Sequence, residues 1–183
     1  MKVVLLGDSI RMGYGPTVEE KLRQEGHEVF QPSDNCRFIH YLLRAIFDYQ
    51  EQIKDADVIV FNAGLWDICE LFGDNEPFTP LEEYKAHLRK ATKQLLKITP
   101  HVIFVTTTPV REGHPYNDNN VIALYNKEAL QIMKELGVTI NDLGGFISHD
   151  INKYIREDDL IHLSDEGIKQ ASKQILESIY NIK

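Results

Sequence analysis

A serine near one end of the chain and an aspartate–histidine pair near the other could together supply a nucleophile and its activating base. Ser9 stands directly behind the apolar run of residues 2–6. Asp159 and His162 are three residues apart, close enough for one loop to present both side chains. A serine hydroxyl is a weak nucleophile until a neighbouring base takes its proton. That base is usually a histidine held in one tautomer by a carboxylate. The sequence therefore predicts a Ser–His–Asp triad.

The bulk properties of the chain favour a globular protein and disfavour nucleic acid as a partner. Its 183 residues, 43% hydrophobic and 26% charged, suit a single domain over residues 1–183. The formal charge of −8 repels phosphate backbones and anionic membranes. Apolar runs are too short for a membrane span or a secretory signal. We therefore expect a cytoplasmic protein with no membrane partner, whose two cysteines, Cys36 and Cys69, are reduced thiols.

The elements that position these residues alternate between short apolar runs and longer amphipathic stretches. Strands are predicted at residues 2–6, 27–30, 57–62, 102–106 and 138–140. Helices are predicted at residues 17–25, 38–49, 80–97 and 118–136. Gly137 is expected to end the fourth helix, and Ser164 to cap a last one. This alternation predicts an α/β fold with a parallel sheet covered by helices on both faces. The chemistry of such sheets lies beyond the carboxyl ends of the strands, where Ser9 falls.

Three motifs, in this order along the chain, resemble those of the SGNH (GDSL-type) hydrolase family. They are the Gly-Asp-Ser-Ile of residues 7–10, the block of residues 62–67 after the third strand, and residues 159–167 near the C-terminus. The resemblance covers nearly the whole chain, and the first and last motifs are specific in combination. It implies a three-layer α/β/α sandwich with a five-stranded, flavodoxin-like sheet. It also implies an ester-hydrolysing or acyl-transferring activity without a metal or an organic cofactor.

The expected roles of the triad residues follow from acyl-transfer chemistry. Ser9 attacks a carbonyl carbon, His162 takes the serine proton and returns it to the leaving alcohol, and Asp159 orients the imidazole. Asp158 and Asp165 are weaker alternatives for the carboxylate. Ser9 and His162 also have simpler, non-catalytic interpretations. Ser9 could merely cap a turn, and His162 could be a surface histidine ahead of a helix.

The oxyanion hole, the set of donors that stabilises a tetrahedral intermediate, is where the chain departs from the family. Trp66 replaces the usual asparagine of the third block, and the usual glycine after the second strand is missing. The candidate donors are Ser9, Asn35 or Cys36, Asn62 and Gly64. Asn62 has an equally simple alternative, as a polar residue that satisfies backbone groups at a strand end. Loss of one donor typically costs a factor of about 10²–10³ in rate.

Three further side chains near the strand ends are candidates for substrate contact. Trp66, the one tryptophan, could wall a pocket or stack on a sugar ring, or could pack beneath the segment of residues 65–79. Arg37 and Arg111 could meet an anionic substrate group, or could pair with the many carboxylates. We expect substrate choice to reside in three loops, at residues 10–17, 65–79 and 107–117.

Three functional hypotheses therefore stay open at the level of the sequence. The first is a serine esterase or acylhydrolase that cleaves a small carboxylic ester, such as an acylated carbohydrate, through an acyl-serine intermediate. The second is an acyltransferase with the same triad. The third is a non-catalytic binding domain that retains the fold, which the altered oxyanion blocks favour.

Overall fold

Five short strands form the central sheet in the computed structural model, which describes residues 1–182. They are β1 (Lys2–Leu6), β2 (Glu28–Phe30), β3 (Val58–Phe61), β4 (Val102–Val105) and β5 (Thr139–Asn141). Their order is β2-β1-β3-β4-β5, and all neighbouring pairs are parallel. The runs VIVF of β3 and VIFV of β4 are buried at each position, as expected for strands covered on both faces.

Helices cover both faces of this sheet. They are α1 (Ser9–Gln24), α2 (Ile39–Asp48), α3 (Gln50–Ile53), α4 (Leu65–Ile68), α5 (Leu81–Leu95), α6 (Asn119–Leu136), α7 (Leu143–Ser148), α8 (Ile151–Tyr154) and α9 (Asp165–Tyr180). Helix α1 packs against α9, and α5 packs against α2 and α6. The predicted three-layer α/β/α sandwich with a five-stranded parallel sheet is confirmed. Within residues 1–182, we find no helix with the length and apolar character that a membrane span requires.

Helix α1 begins at Ser9, whereas the sequence predicted a helix over residues 17–25 and a loop over residues 10–17. The prediction of a loop was wrong. The glycines and the proline of this stretch suggested a break in regular structure. Gly15 instead permits close packing, because a Cβ at this position would lie 2.2 Å from Gln31 Oε1. The early start matters for the site, since it puts the candidate nucleophile in the first turn of a long helix.

The other predicted boundaries lie within a few residues of those observed. Gly137 ends α6 with a left-handed φ of 70°, and Ser164 caps α9 by accepting a hydrogen bond from the backbone N–H of Gly167. The sequence analysis missed the short helices α3, α4, α7 and α8. Helix α4 lies inside the segment 65–79, so the connection after β3 begins with a helical turn.

Asp67 joins α4 to the start of α2 from a fully buried position. Both of its carboxylate oxygens accept the backbone N–H of Ile39, at 3.1 Å each. The N-cap residue of α2, Phe38, offers no side-chain acceptor, so Asp67 satisfies a donor that the helix itself leaves unpaired. Burial raises the pKa of Asp67 to about 7. Hydrogen bonds from Ile39 and Thr79 lower this pKa, but burial outweighs them.

We expect Asp67→Asn to flatten the dependence of the free energy of unfolding on pH. The folded-state pKa lies above the ordinary value of 3.8, so this carboxyl contributes fully below about pH 4, and its contribution is lost as the pH rises through about 7. One pKa unit corresponds to about 1.4 kcal/mol, so the full effect is on the order of 4 kcal/mol. Asparagine retains an acceptor for Ile39. Urea unfolding at several pH values measures the difference, and parallel profiles for the two proteins would contradict this prediction.

Candidate active site

Ser9 is the first residue of α1, just beyond the carboxyl end of β1. Its backbone N–H is among those that a helix leaves without an intrahelical partner. The positive end of the helix dipole also favours negative charge at this point. Gly7 makes the turn between strand and helix possible, because a Cβ there would lie 1.9 Å from Asn62 Oδ1. The local fold therefore presents a serine hydroxyl beside a donor suited to an oxyanion.

Ser9 and His162 line one cavity of about 360 Å³ at this edge of the sheet. The rest of its lining consists of Ile10, Met12, Gly13, Arg156, Leu163 and Ile168. Two residues from opposite ends of the chain are thus brought to one site. Within residues 1–182, no hydrogen bond joins the side chains of Ser9 and His162. Catalytic hydrogen bonds are often long without substrate and shorten when it binds. A larger cleft of about 690 Å³ lies beside α6 and α7 and contains neither residue.

Asp159 and His162 form a hydrogen-bonded pair in the loop before α9. Asp159 Oδ2 lies 3.0 Å from His162 Nδ1, which leaves Nε2 as the nitrogen that can act as a base. Asp159 Oδ1 accepts the backbone N–H groups of Ile161, at 3.1 Å, and His162, at 2.9 Å. Leu160 adopts a left-handed φ of 64° within this tight turn. The loop thus fixes the carboxylate and the imidazole relative to each other.

The carboxyl group of Asp159 remains charged at neutral pH. Partial burial raises its pKa, but the backbone N–H groups of His162 and Ile161 and the imidazole outweigh burial and lower the pKa to about 2. A charged carboxylate at Nδ1 stabilises the imidazolium that forms when Nε2 takes a proton. Asp158, the neighbouring alternative, pairs with Arg156 instead.

Arg111, a candidate for substrate contact, holds the segment that leads to Asp159. Its Nε donates to the carbonyl of Ile155 at 2.8 Å, and its Nη2 donates to the carbonyl of Asn152. Its backbone N–H donates to the carbonyl of Leu160 at 2.8 Å. The two carbonyls bound by the side chain lie at the end of α8, where helical carbonyls lack intrahelical partners. Two of the guanidinium donors are thus engaged with the backbone, and substrate contact by Arg111 stays a prediction.

We expect Arg111→Lys to lower kcat for neutral and anionic esters alike. Lysine lacks the forked donors that span both carbonyls, so the loop bearing the Asp–His pair should shift. A displacement of about 1 Å at a catalytic group costs on the order of 10²-fold in rate. Steady-state kinetics with a neutral ester and a carboxylate-bearing ester test this expectation. A rise in KM limited to the anionic ester would instead assign Arg111 to substrate binding.

Asn62 makes a different contact from the one expected of an oxyanion-hole donor. Its Nδ2 donates to Asp8 Oδ1 at 2.8 Å, and the residue is only 4% exposed. The sequence argument relied on strand alternation, which places Asn62 and Gly64 on one face. The strand ends at Phe61, however, so the alternation no longer applies. The hydrogen bond from Asn62 thus stabilises the carboxylate of Asp8 in the turn that precedes the nucleophile. Burial raises the pKa of Asp8, and the amide of Asn62 opposes that rise.

In the loop after β2, the two expected donors, the backbone N–H groups of Asn35 and Cys36, are both engaged in other contacts. The backbone N–H of Cys36 donates to the carbonyl of Gly7 at 3.0 Å, and that of Asn35 donates to Asp34 Oδ1 at 2.8 Å. Asn35 Oδ1 accepts the N–H of Arg37 at 2.7 Å, which leaves the Nδ2 amide of Asn35 as the group able to donate. The backbone donors considered for this loop are therefore already used.

Gly64 begins the turn into α4 beside the end of β3. A Cβ at this position would lie 2.1 Å from Thr107 Oγ1, so the close approach of the two segments requires glycine. The backbone N–H groups of Ser9 and Gly64 and the amide of Asn35 are the donors that we retain for an oxyanion hole.

Trp66 and Arg37 both face solvent at this edge of the sheet. Trp66 is 40% exposed, so its indole is not buried beneath the segment 65–79. The Arg37 guanidinium lies over the ring of Tyr41, 5.0 Å from its centroid. Both side chains are accessible to a substrate.

Two arginines that the sequence analysis did not assign to the site support it. Arg11 is 2% exposed and donates to the backbone carbonyls of Pro32, at 3.0 Å, and Asp34, at 2.6 Å. It thereby ties the loop after β2 to α1. Arg156 lines the Ser9 cavity, and its Nε lies 3.4 Å from Asp159 Oδ2. The sequence analysis began this helix at residue 17, so it could not place Arg11 on a buried helix face. Neither Arg11 nor Arg156 lies in a motif that would have indicated its role.

The fold, together with a serine at the start of the first helix and an Asp–His pair before the last one, is similar to that of SGNH (GDSL-type) hydrolases. The resemblance predicted from the motifs is confirmed. The GDSL esterase/lipase WDL1 of rice, Oryza sativa subsp. japonica, is 25% identical to the chain over 162 residues, which cover 78% of the chain and 60% of that relative. The chain thus spans about three fifths of its length. No protein-family model matches the chain.

Solved structures of ester hydrolases share this fold along nearly the whole chain. The acetyl xylan esterase AlAXEase is 20% identical, with 98% of this chain and 100% of that chain covered and a TM-score of 0.79. The lipase/acylhydrolase from Enterococcus faecalis is 19% identical, with 97% and 94% covered and a TM-score of 0.79. The acetylxylan esterase Axe2 from Geobacillus stearothermophilus is 17% identical, with 100% and 94% covered and a TM-score of 0.78. These neighbours establish the fold.

Proposed function

We propose that the protein is a serine esterase that cleaves a small carboxylic ester through an acyl-Ser9 intermediate. The observation that carries the proposal is the contact of 3.0 Å between Asp159 and His162, with His162 lining the same cavity as Ser9. Two further structures of the Geobacillus acetylxylan esterase are catalytic mutants, in which a serine or a histidine is replaced by alanine. The same two residue types carry the chemistry proposed for this chain.

The acylation step begins with attack of Ser9 Oγ on the ester carbonyl carbon. His162 Nε2 takes the hydroxyl proton as the C–O bond forms, and Asp159 stabilises the resulting imidazolium. The tetrahedral oxyanion meets the backbone N–H groups of Ser9 and Gly64 and the amide of Asn35. The intermediate collapses when the ester C–O bond breaks and His162 returns the proton to the leaving alcohol. The acyl group remains on Ser9.

The deacylation step repeats this sequence with water as the nucleophile. His162 Nε2 takes one proton from the attacking water, and the new tetrahedral intermediate uses the same oxyanion donors. When the bond to Ser9 Oγ breaks, His162 returns the proton to the serine. The carboxylic acid leaves and the free enzyme is restored, so the cycle requires no metal or organic cofactor among its steps.

We propose a short acyl group on a carbohydrate as the substrate. The cavity of about 360 Å³ beside Ser9 carries the apolar side chains of Met12, Leu163 and Ile168, which suit a small acyl chain. Trp66 is exposed at the same edge of the sheet, and an accessible aromatic face can stack on a sugar ring. The proposed setting is the cytoplasm, in keeping with the two buried, free thiols of Cys36 and Cys69.

Labelling with a fluorophosphonate tests the proposed nucleophile directly. Intact-protein mass spectrometry should show one adduct, and peptide mapping should place it on Ser9. Acetylated xylo-oligosaccharides and p-nitrophenyl acetate and butyrate then provide a substrate panel, with release of free acid as the measurement. Absence of labelling together with absence of hydrolysis would favour the hypothesis of a non-catalytic binding domain.

An acyltransferase with the same triad is the alternative within the same chemistry. In that case an acceptor alcohol, not water, removes the acyl group from Ser9. Incubating the protein with an activated acetyl ester and a sugar acceptor separates the two by the ratio of acetylated sugar to free acetate. A predominance of free acetate supports the esterase.

A further inference from the structure

Three side chains with metal-ligating atoms meet on the surface of the α2–α5 pair, outside the Ser9 cavity. His40 lies in the first turn of α2, and Glu83 and His87 lie four residues apart on one face of α5. One ligating atom from each residue lies within 4.8 Å of the other two. The packing of α2 against α5 therefore brings together two imidazoles and a carboxylate from distant parts of the sequence.

The contacts among these residues already hold them close together. His40 Nε2 lies 3.2 Å from Glu83 Oε1, and the ring centroids of His40 and His87 are 3.8 Å apart. His87 Nδ1 lies 2.9 Å from the backbone carbonyl of Glu83. A carbonyl can only accept, so Nδ1 carries the proton and Nε2 of His87 keeps its lone pair for a ligand. Anchoring of a ring N–H by a carbonyl is the usual outer-shell arrangement of metal-binding histidines.

A surface ion pair accounts for only part of this arrangement. The side chains of His40 and Glu83 are 40% and 47% exposed, and a pair at such exposure contributes little to stability. Such a pair also gives no role to His87, whose ring is held against that of His40. A shared cation gives all three side chains a role.

We propose that His40, Glu83 and His87 bind one Zn²⁺ or a similar divalent transition metal. Two imidazole nitrogens and one carboxylate oxygen form a donor set that suits zinc, with water completing a tetrahedron. Bonds of about 2.0–2.1 Å require the three ligating atoms to move closer together, which small rotations of these partly exposed side chains allow. The ion would cross-link the start of α2 to α5. It has no part in the proposed ester hydrolysis, so the two proposals can fail separately.

Calorimetric titration of the chelator-treated, tag-free protein with ZnCl₂ tests the site. The wild type should bind one ion per chain, and its melting temperature should rise with added zinc because the ion binds only the folded state. His40→Ala and His87→Ala should each weaken binding by at least about 10-fold, since even outer-shell partners contribute 10- to 100-fold. His149→Ala, at an exposed histidine outside the cluster, is the matched control and should bind as the wild type does.

A second probe and a milder variant keep the test independent of folding defects. Glu83→Gln changes one exposed atom and should weaken zinc binding without lowering the melting temperature of the metal-free protein. Co²⁺ should give the visible absorption of a tetrahedral N/O site in the wild type and lose it in His87→Ala. The proposal is overturned if the wild type shows no stoichiometric binding, or if all three variants bind zinc as tightly as the wild type.

Discussion

Ser9→Ala should lower the rate of p-nitrophenyl acetate hydrolysis by at least about 10³-fold. Loss of the nucleophile costs about 10⁶-fold in an efficient serine hydrolase. The oxyanion donors here depart from the usual set, and one missing donor reduces the starting rate by about 10²–10³-fold. Dividing about 10⁶ by about 10³ gives the expected minimum of about 10³. Initial rates at saturating ester, measured for both proteins in one buffer, provide the comparison.

Ser148→Ala is the matched control for the nucleophile. Ser148 also carries a partly buried hydroxyl, which donates to the carbonyl of Gly144, but it lies beside the larger cleft at α7. This variant should hydrolyse the ester at the wild-type rate. Equal rates for wild type and Ser9→Ala would remove Ser9 from the mechanism, whatever the behaviour of the control.

Asp159→Asn should lower kcat by about 10⁴-fold while leaving the fold intact. An asparagine at this position can hold the imidazole in the wrong tautomer and no longer stabilises its charged form, the loss seen when a triad aspartate is replaced. The amide oxygen of the new side chain would still accept the N–H groups that Asp159 Oδ1 accepts from Ile161 and His162. The loop should therefore keep its shape, and circular dichroism and the melting temperature serve as checks.

The neighbouring carboxylate gives this prediction its control. Asp158 pairs with Arg156, whereas the His162 ring pairs with Asp159, so Asp158→Asn should retain nearly the wild-type rate. If Asp158→Asn were the variant that lost activity, the carboxylate would have been assigned to the wrong residue.

The pH profile adds a second check. The pKa of Asp159 is lowered to about 2, so its carboxylate loses its charge only as the pH falls towards that value. The acid limb of kcat/KM at higher pH should therefore arise from another group.

The sequence by itself determined the features that depend on nearby residues. Continuous apolar runs such as those of β3 and β4 can only be buried on both faces, which is why a parallel sheet followed from the pattern alone. The Asp159–His162 contact spans three residues, so a single turn forms it. Gly137 and Ser164 end and begin helices through their own conformational and hydrogen-bonding preferences.

Only the tertiary structure decided which distant groups satisfy one another. Arg111 contacts backbone carbonyls at the end of α8, and Asn62 contacts Asp8, because buried polar groups must find partners wherever the packing provides them. Local spacing also gave no hint that His40 would meet His87, since that contact exists only because α2 packs against α5. Residue types and short spacings thus indicated the chemistry, whereas the long-range hydrogen bonds assigned supporting roles to individual side chains.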